Sequence, residues 1–164
     1  MEQKDTKTIA KAGQYLTFVI NKQCYGVPIG TVREINRVSE ITPVPKAPHY
    51  VTGVMNLRGK VIPVVNLRTR LAFDPIDYTK ETCIIVIETP QGQTGMIVDA
   101  VNGVIDLTSE NIEAPPHLNN SNYSDYVMGM GKAENQIIIL IDIVKTMMSE
   151  YIAIMNEENE KAAA

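Results

Sequence analysis

The sequence predicts an all-β protein, built as barrels or a sandwich, with one helix near its end. Nine short runs rich in β-branched and aromatic residues follow one another, with turn residues between them. Long helical patterns do not alternate with these runs, which argues against a parallel α/β sheet. Two runs, 84–87 (IIVI) and 137–141 (IIILI), are apolar at every position. Such strands are buried on both faces, as the central strands of two barrels packed together would be.

The first run, 15–21 (YLTFVIN), turns at Lys22-Gln23 into 24–29 (CYGVPI). Runs 53–57 and 61–66 flank Arg58-Gly59-Lys60, a tight hairpin in which Gly59 supplies the permissive backbone. Runs 82–88 and 94–99 flank Thr89-Pro90-Gln91-Gly92-Gln93, where Pro90 presets a corner and Gly92 can take a positive φ. Runs 102–107, 126–132 and 136–141 complete the strands, and a helical turn is expected at 66–72. Asp142 can cap the last helix. Along it Val144, Met147, Met148, Tyr151, Ile152 and Met155 recur at helical spacing, a stripe suited to covering an open barrel end. The expected organisation is a flexible stretch over 1–13, one domain over 14–149, and the helix end with a mobile tail over 150–164.

At 164 residues, 45% hydrophobic and 21% charged, the chain can form a core without metals or disulfides. With seven Tyr, two Phe and no Trp, that core must be mostly Ile, Val, Leu and Met. The first 13 residues lack an apolar signal region, and no apolar run approaches the ~20 residues of a membrane span. The reading is a cytoplasmic protein with no membrane insertion, in which Cys24 and Cys83 are reduced, buried thiols.

Enzyme signatures are not found. His49 and His117 are the only histidines, and no spacing builds a four-ligand zinc site. Gly129-Met130-Gly131-Lys132 fails as a phosphate loop, since Ala133 replaces the hydroxyl residue and Tyr126 the first glycine. Asp99, Asp106 and Asp142 read as solvated or capping carboxylates. No cofactor or metal is expected. Charge is more telling: from 41 to 73 there is no acid, while Lys46, Arg58, Lys60, Arg68 and Arg70 make the stretch +5 in a chain of net −4. This polarisation suggests a face tuned to an acidic partner. Nucleic acid fits poorly, because the rest of the chain is acidic and no aromatics interleave the cations.

Residues 41–71 (ITPVPKAPHYVTGVMNLRGKVIPVVNLRTRL) carry the densest information. Prolines 43, 45 and 48 stiffen a loop, which then loses less entropy when pinned in an interface. Pro63 cannot donate to a ladder, so its strand should be an edge or carry a bulge, and an edge is where another sheet can dock. Arg58, with five donors in a fixed fork, is either a specific partner contact or a brace bonded to local carbonyls.

The string 53–68 (GVMNLRGKVIPVVNLR) resembles the central motif of the CheW chemotaxis family, G-x-x-N-L-R-G-x-x-x-P-x-x-[DN]-L-R. Similar flanking segments are Tyr25-Gly26-Val27-Pro28-Ile29 with Val32-Arg33-Glu34-Ile35, Val44-Pro45 with Pro48, Gly95-Met96-Ile97-Val98-Asp99-Ala100-Val101, and the closing runs 126–131 and 137–142. The similarity spans about 14–149. It implies two packed, intertwined five-stranded barrels of SH3-like type that exchange strands, no catalysis, and a non-enzymatic adaptor. Its partners would be the hairpin tip of methyl-accepting chemoreceptors and the regulatory domain of the histidine kinase CheA. Carried over by motif, the receptor groove would hold Val32, Glu34, Arg58 and Val101. Kinase contacts would fall around Ile41, Pro43 and Val44. A coupling protein of a non-flagellar array is the alternative; a CheV-type adaptor would carry a receiver domain beyond the barrels.

Overall fold

The computed structural model describes residues 10–115 and 126–147. Eleven strands are described: β1 (Gly13–Ile20), β2 (Gln23–Pro28), β3 (Val32–Arg37), β4 (Val51–Leu57), β5 (Lys60–Asn66), β6 (Cys83–Thr89), β7 (Gly92–Val98), β8 (Ala100–Leu107), β9 (Ile112–Glu113), β10 (Val127–Ala133) and β11 (Gln136–Ile141). Two short helices accompany them, α1 (Leu67–Arg70) and α2 (Ile143–Met147). One sheet runs β3-β6-β7-β5-β4, the other β8-β1-β2-β11-β10-β9. This is the expected all-β architecture of two packed SH3-like barrels, with the two-residue β9 as an addition to the second. Strands β1 and β2 sit beside β8 and β11, so the two sheets interlock along the chain.

The apolar run of β6 shows why two barrels need such strands. Ile84, Ile85, Val86 and Ile87 are all fully buried. Ile84 and Val86 face the inside of their own sheet with Met55, Ile62, Val64 and Ile97. Ile85 and Ile87 face the opposite way, into a shared core with Leu16, Phe18, Met96 and Ile141. Each such side chain contributes about 2 kcal/mol by leaving water. The same division appears in β11: Ile138 and Leu140 line the second barrel's own core, and Ile141 the shared one. Ile137, expected to be buried, is 55% exposed. It lies two residues past the hairpin turn, opposite Lys132 and outside both cores.

Three hairpins close on two residues with positive φ: Asn21-Lys22 (53° and 66°), Arg58-Gly59 (52° and 86°) and Glu134-Asn135 (52° and 63°). This backbone matches the right-handed twist of paired strands. The first turn falls one residue before the expected Lys22-Gln23, because Gln23 pairs with Ile20.

Pro63 corrects the edge-strand expectation. β5 is an inner strand between β7 and β4. Counting from the hydrogen-bonded closing pair Leu57–Lys60, Pro63 stands opposite Val54 in a pair that exchanges no backbone bonds. Its nitrogen therefore faces β7, whose ladder with β5 begins only at Val64. The missing donor costs nothing there.

Asn66 caps α1 by accepting from the Thr69 amide at 3.2 Å. Asp142 caps α2, accepting from the Lys145 amide at 3.1 Å. Met147 is fully buried in the shared core, as a barrel cover requires. Met148, Tyr151, Ile152, Met155, the tail, His117 and residues 1–9 lie outside the described residues. Ala10, inside the stretch expected to be flexible, is buried and donates its amide to the Met128 carbonyl at 3.0 Å. Of the two free thiols, Cys24 is buried but Cys83 only half-buried.

Candidate partner-binding site

Local chemistry builds the Arg58 tip. The Asn56 side chain accepts the Gly59 amide at 2.8 Å, so the Asn-Leu-Arg-Gly turn is braced by its own asparagine. Arg58 is therefore not needed to bond local carbonyls. It reaches instead to Glu34 on β3, where one guanidinium nitrogen donates to both carboxylate oxygens, at 2.8 and 2.7 Å. β3 and β4 are opposite edges of the five-stranded sheet. The ion pair thus joins the two ends of that sheet, as barrel closure demands. The guanidinium beside Glu34 holds its carboxyl below its ordinary pKa; partial desolvation opposes this, and Asn36 adds a further favourable hydrogen bond. Arg58 stays 68% exposed and Glu34 24% exposed, so the pair is open to a partner.

The valines belong to the seam. Val32 opens β3, and a bulge before Glu34 shifts the register there. Val101 is the second residue of β8 and stands opposite Phe18. Both are half-buried against the core shared by the two sheets. The structure therefore joins Glu34 to Arg58 directly and sets Val32 and Val101 on one common core.

The second set lies along the outer edge of β4. Thr42 and Val54 exchange both backbone bonds, at 2.8 and 2.9 Å. A Cβ on Gly53, whose φ is +154°, would stand 2.1 Å from the Thr42 oxygen. Only glycine lets the segment approach so closely. Ile41 is half-buried against the inner core of this sheet, Val44 is half-buried, and Pro43 is exposed.

The basic stretch is divided in a way its sequence does not reveal. Lys46, Arg58 and Lys60 are exposed. Arg68 is buried: it donates to Asp99 at 2.7 Å, to the Asn21 side chain at 3.1 Å and to the Asp74 carbonyl. Asp99 also accepts the Asn21 amide at 2.8 Å. It is thus neither simply solvated nor a helix cap, but the anionic centre that ties the β1–β2 turn to α1. Arg70 lies over the rings of Tyr50 and Tyr126, at 4.7 and 5.5 Å, and donates to the Thr146 carbonyl at 2.7 Å. Two of the five cations are consumed internally, so the basic face is smaller than the sequence suggests. The signal for this lies in the spacing of Arg68 and Asp99 within two separate motifs, but nothing in either motif announces that they pair.

Among the described residues no group of three or more His, Cys, Asp and Glu side chains could hold a metal. No described helix is long and apolar enough to cross a membrane.

The CheW-like domain model matches residues 14–150. The chemotaxis protein CheW of Thermotoga maritima is 36% identical over 146 residues, covering 85% of this chain and 92% of that protein. The protein of the same name from Klebsiella aerogenes is 32% identical over 143 residues, covering 87% and 86%. The crystal structure of the scaffolding protein TtCheW from Thermoanaerobacter tengcongensis superposes with a TM-score of 0.77 at 31% identity, over 85% of this chain and 94% of that one. The family-model match, the superposition and identity along most of its length agree: the chain belongs to the CheW-like domain family.

Proposed function

We propose that this chain is a cytoplasmic, non-enzymatic adaptor that couples methyl-accepting chemoreceptors to the histidine kinase CheA. The observation that carries the reading is the Arg58–Glu34 pair, exposed at a hairpin tip, with Glu34 on the same strand as Val32, which is half-buried on the core shared by the two sheets. The names of the relatives, chemotaxis protein and scaffolding protein, support it. In this reading the helical receptor tip lies against Val32 and Val101, and Arg58 with Glu34 sets its polar register. The kinase regulatory domain meets the segment holding Ile41, Pro43 and Val44, whose backbone is already fixed against β4. The adaptor works by mass action: a receptor state that binds it differently biases the kinase between its active and inactive forms. Each contact is about micromolar, and the assembled array supplies strength through multivalency.

The test is titration of a receptor cytoplasmic fragment against three proteins: wild type, Arg58→Glu, and the charge-swapped pair Arg58→Glu with Glu34→Arg. Arg58→Glu should weaken binding about tenfold or more. The swap should restore the internal ion pair without restoring receptor affinity. Unchanged affinity in Arg58→Glu would remove the receptor from this groove.

A further inference from the structure

The hairpin tip sets Arg58 on a backbone that its residue type does not favour. Arg58 (φ 52°) and Gly59 (φ 86°) join β4 to β5, and both lie in the left-handed region. Such turns favour asparagine or aspartate followed by glycine, since glycine has no Cβ to crowd and a short polar side chain can bond its own backbone. The two other turns of this backbone described above, Asn21-Lys22 and Glu134-Asn135, each contain an asparagine. Here the second position has its glycine, but the first holds an arginine. Strain of this kind persists only where surrounding contacts outweigh it.

Two contacts do so, one at each end of the arginine. At the backbone, Asn56 Oδ1 accepts the Gly59 amide at 2.8 Å, one residue before the Leu57–Lys60 pair that closes the ladder. At the head, both Glu34 oxygens accept from Nη2. Nε and Nη1 bond to no other side chain or carbonyl among the described residues, and the side chain is 68% exposed. Their N–H groups are left for an oxygen acceptor on a partner, a carboxylate or a carbonyl. Asn56 is itself exposed, so burial does not call for its hydrogen bond.

We propose that Asn56 is a positioning residue for partner recognition. By pinning the Gly59 amide it holds Arg58 in the left-handed turn, and so presents Nε and Nη1 to an acceptor on the receptor tip while Nη2 stays on Glu34. This role rests on the receptor contact of Arg58. Without the brace the tip samples other turn conformations, and binding must first restore the competent one.

The test is a cycle of receptor-fragment titrations on wild type, Asn56→Ala, Arg58→Ala and the double variant, with Asn56→Asp as the conservative control. Far-ultraviolet circular dichroism checks that each is folded. Asn56→Ala should weaken binding about threefold to tenfold, the range that one hydrogen bond is worth. On the Arg58→Ala background the same change should cost less than about twofold, because no guanidinium remains to be placed. Asn56→Asp keeps an acceptor for the Gly59 amide and should recover most of the affinity. Equal losses on both backgrounds would make Asn56 a direct contact or a general support of the fold, and would overturn the positioning role. So would Asn56→Ala binding like wild type, or Asn56→Asp binding as weakly as Asn56→Ala. Arg58→Ala with wild-type affinity would remove the receptor contact itself and this role with it, an outcome distinct from loss of the role alone.

Discussion

Two arginines ten residues apart in one motif do opposite work, and the difference is burial. Arg68 is enclosed and its charge is answered by Asp99, Asn21 and the Asp74 carbonyl. Arg68→Ala would strand the Asp99 carboxylate in a poorly solvated site, and should destabilise the fold by on the order of 3 kcal/mol in urea unfolding. Arg58 pairs with Glu34 in the open, where such pairs contribute little. Arg58→Ala should therefore leave the unfolding midpoint close to that of wild type, and an equal loss in both variants would refute the division. The Glu34 carboxyl has a folded-state pKa below its unfolded one. The stability it contributes is thus fully present above the ordinary glutamate range, and is lost as pH falls through the depressed folded value. Acid titration of Glu34→Gln against wild type should show the two stability curves converging at the acid end. Curves that stay parallel there would contradict the pairing. Reading the sequence identified Arg58 as special through its hairpin tip. The pairing of Arg68 with Asp99 was hidden, because partners 31 residues apart meet only through tertiary structure.

At the scale of elements, runs of β-branched residues with clear turns were legible, and strands whose pattern is set by position were not. β6 reads plainly because every residue from Ile84 to Ile87 is buried. β3 (VREINR) was recognisable only through family resemblance, since its half-buried face carries Glu34 and Asn36 beside Val32, and its Ile35 is 43% exposed between Arg33 and Arg37. As an edge strand with one bulge, it turns Glu34 inward to meet Arg58, which inverts the usual apolar-inward pattern. β9 is two residues long and leaves no signal. Pro63 misled for a related reason: where a neighbouring ladder begins cannot be read from one strand alone. Gly53 gives this scale its own test. Gly53→Ala sets a Cβ against the Thr42 backbone at a φ that side chains rarely adopt, at a cost of about 1–3 kcal/mol. Hydrogen exchange should report loss of protection at the Thr42 and Val54 amides, while the Ile84–Ile87 amides lose protection only as far as global stability falls. Retained protection at Thr42 would mean that the close approach is not needed.

For the molecule as a whole, two intertwined barrels were expected from the family resemblance, but which strands cross between them was not legible. The two-faced apolar strands announced packed barrels, but only the sheet order shows β1 and β2 embedded among the closing strands. That arrangement makes the seam a single core fed from both ends of the domain, with the half-buried Val32 and Val101 on its margin. A buried seam, an exposed ion pair and a loop bonded to β4 at Thr42 are what the proposed coupling reading draws on. The most direct measurement is co-sedimentation of this protein with receptor cytoplasmic fragments and kinase, with ATP turnover followed in the same samples. Coupling predicts that kinase enters the pellet and changes its activity only when this protein is present, and that Arg58→Glu abolishes the effect. Kinase pelleting equally well without this protein, or this protein binding neither partner, would contradict the proposed function.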